Sequence, residues 1–224
     1  MPESRVFKSP LPRRMQKLPV DERGYPVPWF VAYVDGKPEF RAMDAEKFRR
    51  ALRDKLCWVC GETRGVYAVF VVGPMCGVNR VSSEPPSHLD CARWSAENCP
   101  FLSDPHMVRR EDETVNNVKL VEAAAGHAIC RNPGVALLWV TRSFEILPDG
   151  AGKFLLMMGE PESVEWWREG RAATRAEVEA AVESGLPILE AMAAKDRPEA
   201  LAALAKSRAR LEPWLPREAP TAAR

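Results

Sequence analysis

Cys57-Trp58-Val59-Cys60-Gly61 and, further along, Ser87-His88-Leu89-Asp90-Cys91 are the two stretches on which the fold turns. A Cys-x-x-Cys turn ending in glycine makes a tight knuckle, with both thiols aimed at one point. His88 and Cys91 stand three apart, so in the first turn of a helix they share a face. The positive end of a helix also favours a thiolate. Two ligands from a knuckle and two from a helix start give three sulfurs and one nitrogen, a closed tetrahedral set of the kind used by structural zinc sites. Cys57, Cys60, His88 and Cys91 are the expected ligands, and zinc is the expected cofactor. The alternative is a set of reduced core cysteines beside an incidental histidine.

Spacing decides which other cysteines stay out. Cys99 lies eight residues beyond Cys91, about 12 Å away along a continuous helix, too far to share an ion bound at about 2.0–2.3 Å. Cys76, at the turn Gly73-Pro74-Met75-Cys76-Gly77, is the more serious substitute for an expected ligand. Cys130 abuts an apolar segment and reads as a small buried hydrophobe.

The order knuckle, β-hairpin, then a helix supplying the second ligand pair resembles the treble-clef class of zinc fingers, over residues 56–100. That resemblance implies metal binding and leaves function open, since treble clefs occur in ribosomal proteins, ubiquitin-system domains, nucleases and transcription factors. The phrases CWVCG, GPMC, EPPSHLDC and CPF resemble a family carried by bacterial and phage genomes, and no activity comes with that resemblance.

Outward from the knuckle, Asp44 is an N-cap for a helix from Ala45 to about Leu56, with Phe48, Leu52 and Leu56 on one face. Before it, Trp29 to Val34, the turn Asp35-Gly36 and Pro38 to Met43 read as a hairpin. Val66 to Val72 reads as a buried strand. Ser87 to Asp90 fits a capping box that opens the next helix. Residues 103–116 read as a polar loop, and Val118 to Ala128 leans towards helix. Val135 to Ile146 and Lys153 to Met158 read as two strands of a second hairpin.

Pro161 to Glu169 reads as a short amphipathic turn carrying Trp166-Trp167. Thr174 to Glu177 is a capping box for a helix ending near Ser184-Gly185, and a last helix runs from about Glu199 to Leu211. The expected fold class is α+β: antiparallel hairpins around a treble-clef-like zinc module, with a C-terminal helical segment. The expected division is an irregular Pro-rich arm (1–28), an α+β core (29–160) holding the zinc module (56–100), C-terminal helices (161–215) and a tail (216–224).

The 224 residues carry 32 Lys+Arg against 31 Asp+Glu, with 46% hydrophobic residues. That composition excludes a disordered chain and a strongly basic nucleic-acid coat. Residues 1–56 hold 13 basic and 8 acidic residues, an excess of +5 that suits either contact with phosphates or a solvated surface. The N-terminal residues show no apolar signal region, and no stretch is long enough to span a bilayer, so a cytoplasmic protein is expected.

An ion with four protein ligands has no open position for catalysis. A P-loop, a Gly-x-Gly-x-x-Gly fingerprint, a Gly-x-Ser-x-Gly elbow and His-Glu-x-x-His are absent from the sequence. The region between the two ligand pairs has no histidine before His88 and offers Arg64, Asn79, Arg80 and Glu84. Asn79-Arg80 and Arg131-Asn132 each set a cation and an amide beside a turn, suited to an anion or to bonding their own backbone. The expected function is a zinc-stabilised binding protein engaging nucleic acid or a protein partner. The alternative is an enzyme of nucleotide or nucleic-acid metabolism with a structural zinc, for which Arg80, Arg131 and His106 are the first residues to test.

Overall fold

The computed structural model describes residues 5–104, 132–148 and 153–218. Strands β1 (Val31–Val34) and β2 (Lys37–Met43) pair antiparallel. Their turn places Asp35 and Gly36 at φ 50° and 76°, and a two-residue hairpin needs that left-handed pair to match strand twist. Helix α1 (Ala45–Arg53) follows, with the Asp44 carboxylate accepting from the N–H groups of Glu46 and Lys47. It stops short of Leu56, because Lys55 adopts φ 53°.

The central sheet is antiparallel, in the order β3 (Ala68–Val72), β5 (Ala136–Thr141), β8 (Pro161–Arg168), β9 (Arg171–Ala172). A second sheet runs β4 (Val81–Ser82), β7 (Phe154–Met158), β6 (Phe144–Pro148). Every residue of β5 is buried, since both faces of the central sheet are covered. One face carries Phe70, Leu137, Trp139 and Trp166 in a cluster that includes Leu156 and Met158 of β7. Helices α2 (Pro74–Asn79), α5 (Arg175–Ala193) and α6 (Ala200–Leu211) pack together on this side, contributing Val78, Val178, Leu186 and Leu211. The other face sets Val69, Leu138 and Val140 against Ala92 and Ala96 of α3 (Leu89–Asn98), after which comes the single turn α4 (Pro100–Ser103). Antiparallel sheets with helices beside them make an α+β fold, as expected.

Several local expectations are corrected. Pro161 to Glu169 is not a helical turn, because residues 161–168 pair along β5 as strand β8. Trp166 and Trp167 therefore point to opposite faces of the sheet. Trp166 is buried and donates its indole N–H to the Trp214 carbonyl at 2.8 Å, while Trp167 is half-buried on the α3 side. The run from Val135 to Ile146 breaks at Arg142-Ser143 and feeds two sheets, so only β6 joins β7 in the expected hairpin.

Helix α5 does not end at Ser184-Gly185 but runs on through Pro187 to Ala193. A Cβ on Gly185 would lie 2.7 Å from Met75 Sδ, so the glycine serves helix contact rather than termination. Leu186 and Leu189 are buried beyond it, and their burial outweighs the hydrogen bond lost at Pro187. The capping box at Thr174 and Glu177 forms as expected. The polar stretch beyond Asp104, the segment Val118 to Ala128, the turn 149–152 and the residues His106, His127, Cys130 and Arg131 lie outside the described residues. No helix among the described residues is long and apolar enough to cross a membrane.

Candidate metal centre

The knuckle is closed by its own backbone. Leu56 and Thr63 bridge as a minimal ladder, Cys57 N–H donates to the Glu62 carbonyl at 2.7 Å, and Gly61 N–H donates to the Cys57 carbonyl at 2.8 Å. Gly61 turns the chain at φ 74°, a left-handed conformation that glycine adopts without a Cβ penalty. Trp29 lies flat against it, so an added Cβ would sit 2.6–3.0 Å from three ring atoms. Gly61→Ala is expected to cost about 1–3 kcal/mol through backbone strain and the Trp29 clash together. Thermal unfolding of metal-loaded protein measures it, and an unshifted midpoint would show that Trp29 yields freely.

The second pair arrives differently from the capping-box expectation. His88, not Ser87, is the N-cap of α3, with no side-chain cap bond. Ser87 is instead pinned to the sheet edge: its N–H donates to the Val69 carbonyl at 2.7 Å and its carbonyl accepts from Val69 N–H at 3.1 Å. That bridge fixes where α3 begins, with His88 at its first boundary and Cys91 at the third helical position. The central sheet thus positions the histidine and the last thiol relative to the knuckle.

The four side chains meet as expected. One ligand atom each from Cys57, Cys60, His88 and Cys91 lies within 4.8 Å of the others, a cluster able to hold a metal ion. All three cysteines are buried, at 0%, 2% and 0% exposure. His88 Nδ1 stands 3.4 Å from Cys60 Sγ, and Nε2 is 3.1 Å from the Thr63 carbonyl. A carbonyl only accepts, so Nε2 carries a hydrogen, and Nδ1 is the ring nitrogen that faces the sulfurs. The backbone N–H groups of Cys60 and His88 both point at Cys57 Sγ, at 3.5 and 3.3 Å.

The electrostatics of the group fit an incoming cation. Burial opposes charge on Cys57, but hydrogen bonds from Cys60, Cys91 and His88 overcome it and hold its thiol well below the ordinary range. Hydrogen bonds to Cys57 and Cys60 push Cys91 the other way, with burial adding to the rise. The same two sulfurs raise His88 to about 10. Arg64 is buried nearby, donating to the carbonyls of Leu56 and Tyr67; burial lowers its pKa and the charge of Cys57 raises it. Cys57 thus carries the negative charge of the group while Cys91 and His88 hold protons, which one multivalent cation could replace.

Cys76 and Cys99 stay outside this set. Cys76 sits on α2, and Cys99 ends α3, with both thiols pushed up by burial. The expected hairpin between knuckle and helix is absent: the connecting segment is β3, α2 and β4, whose strands join different sheets. Of the alternative site residues, Arg80 ends α2 at φ 54°, lies 5.4 Å from the Trp139 ring centroid and pairs with Glu160. Asn132 accepts from Gly134 N–H at 2.9 Å, the local turn bond expected of it. An open depression of about 450 Å³ lies beside α5, where Arg168 is already paired with Glu177.

Supporting residues that the motif does not announce are Trp29, Thr63, Met15 and Leu18. The last two are buried against the cysteines from the N-terminal side. Their only signal is the spacing of Phe7, Leu11, Met15 and Leu18, an apolar rhythm inside a Pro-rich arm. No family model, curated protein or solved structure matches this chain.

Proposed function

We propose that the protein is a zinc-stabilised binding protein, with the ion structural and the cationic N-terminal arm as its contact for nucleic acid. The observation that carries the zinc assignment is the closed group of three sulfurs and one nitrogen. With bonds of about 2.3 Å to sulfur and 2.0 Å to nitrogen, a tetrahedral site has edges of about 3.5–3.8 Å. The Nδ1 to Sγ distance of 3.4 Å is such an edge, and the remaining separations of at most 4.8 Å need only a small inward rotation of side chains. Thiolates with one imidazole suit a borderline-soft tetrahedral ion. Four protein ligands leave no position for substrate, so the ion joins elements rather than performing chemistry.

The partner reading rests on charge. Arg5, Lys8, Arg13, Arg14 and Lys17 fall within residues 5–18, which contain no acidic residue. This segment alone equals the net excess of +5 in the first 56 residues. It lies on the surface of the metal module, with Arg5, Lys8, Arg13 and Lys17 exposed. Such a cluster neutralises phosphates by counterion release, which makes binding fall steeply with salt.

Fluorescence anisotropy with labelled single-stranded and duplex oligonucleotides tests this at several salt concentrations. Two to four phosphate contacts predict a slope of log K against log salt of about −2 to −4. Replacing Arg13 and Lys17 with alanine is expected to weaken binding about tenfold and to flatten that slope by about 1 to 2. Binding of neither form at low salt, or binding indifferent to salt, would overturn the nucleic-acid reading and leave the zinc assignment standing.

A further inference from the structure

We propose that residues 5–18 are a strap seated by the metal: the ion builds the surface on which the arm lies, and the arm in turn closes the ion away from solvent. This rests on the reading of the four-residue cluster as a metal site.

The strap is attached at both ends by different chemistry. At its start, Lys8 N–H donates to Asn98 Oδ1 at 2.8 Å and Lys8 Nζ to the Glu169 carbonyl at 2.6 Å. Ser9 bonds Glu97, and the Ser9 carbonyl accepts from the Trp94 indole N–H at 3.3 Å. These partners lie towards the end of α3 and just beyond β8. Phe7 packs edge-on to Trp94, with ring centroids 5.0 Å apart.

At its other end a single 3-10 turn, Arg13–Met15, rolls Met15 into the metal module. Met15 is 1% exposed and Leu18 8%, and they share one cluster with Cys57, Val59, Cys60, Cys91 and Trp94. The flanking cations face acids of the knuckle and of α3. Lys17 pairs with Glu62 at 2.6 Å, and Arg14 pairs with Asp90 at 3.4 Å and Glu62 at 4.0 Å.

The distribution of these contacts makes seating conditional. The first half of the strap is bonded to the later turns of α3, which pack on the central sheet, while Phe7 and Leu11 also lean on the cysteine cluster. The second half rests on side chains from two elements at once, the knuckle and the start of α3. Those two elements touch through the Trp58 N–H to Pro86 carbonyl bond at 3.2 Å and the His88 ring at the Thr63 carbonyl, and an ion bound by ligands from both would lock their spacing. Without it, the knuckle and the start of α3 are free to shift relative to one another, and the floor under Met15 and Leu18 opens. The segment between Leu11 and Leu18 lacks regular secondary structure apart from its one turn, so it has few bonds of its own to keep it in place.

Coupling is reciprocal: if the metal favours seating, seating must favour the metal. The strap packs Met15 and Leu18 into one cluster with the three sulfurs, and it should slow extraction of the ion by a competing chelator.

The test is limited trypsin digestion of the full chain, zinc-loaded and chelator-stripped, with zinc content measured on the same samples. Cleavage after Arg13, Arg14 and Lys17 is expected about tenfold or more faster in the stripped form, ahead of cleavage in the central sheet and in α5. Equal cleavage of the arm in both forms, with the ion shown to be present in one and absent from the other, overturns the strap and leaves the zinc assignment intact. Cleavage of the whole chain at one rate after stripping also overturns it, because the arm then has no movement of its own. A chain that takes up no zinc at all overturns the underlying metal reading.

A second measurement avoids stripping. In zinc-loaded protein, Met15→Ser and Leu18→Ser leave every ligand in place. Each is expected to speed chelator extraction of zinc about tenfold, whereas Val20→Ser, an exposed change just past the strap, should not. Extraction rates unchanged in both strap variants would sink the proposal.

Discussion

Cys91→Ser is expected to empty the metal centre and to lower the melting temperature by about 8–20 °C. The sulfur it removes is fully buried, and serine oxygen is a poor replacement in a soft ligand set. A loss of about 4–5 kcal/mol is at the upper end for a single substitution, and metal loss is one of the mechanisms that reaches it. At roughly 2–4 °C per kcal/mol for a chain of this size, the midpoint should fall through that range. Elemental analysis should find about one zinc per chain in the parent protein and none in the variant. Chelator treatment of the parent should reproduce the variant's melting curve. Cys76→Ser and Cys99→Ser are the controls, since neither residue belongs to the cluster, and both should retain the ion. Retention of full stability and zinc in Cys91→Ser would remove that residue from the site.

How far the site could be read in advance depends on the range of each interaction. The knuckle and the His88–Cys91 pair are local patterns, so their residue types and spacing announce them, and the four side chains do converge. Where α3 begins was not legible, because a non-local bond decides it. Ser87 has the sequence of an N-cap, yet both its backbone groups are claimed by Val69 of β3. The same contest explains β8. Its residues suit a helix as well as a strand, and the hydrogen bonds offered by β5 settle the matter. Gly185 resembles a helix stop in one dimension and becomes a contact surface for Met75 in three. The strap was hidden for a related reason: proline punctuation marks residues 1–28 as irregular, and irregular backbone can still place Met15 and Leu18 in a core.

Trp139→Ala is expected to cost about 3–5 kcal/mol, on the side of the central sheet away from the Cys57, Cys60, His88 and Cys91 cluster. Trp139 is fully buried in the middle of β5 and belongs to the cluster joining both sheets to α2, α5 and α6. Three separate contacts are lost with it. The cavity left by the indole cannot be filled from a strand held by pairing on both sides. The Gly159 carbonyl loses the indole N–H that donates to it at 2.9 Å. The Arg80 guanidinium loses the ring beneath it and keeps the exposed Glu160 as an ionic partner. Trp139→Phe, which retains a ring but no donor, should cost about 1–2 kcal/mol. Urea unfolding of zinc-loaded samples measures both, and a loss under about 1 kcal/mol for the alanine variant would contradict this account of the core. Below the unfolding transition, both variants should still hold zinc. His88 and Cys91 are tied to the edge of β3 by the Ser87–Val69 backbone bridge, and the side chains packed against α3 lie on the face opposite Trp139. Loss of zinc from folded Trp139→Ala would instead mean that the layer beneath β5 sets the spacing of knuckle and helix. The metal centre would then depend on the whole sheet rather than on its own edge.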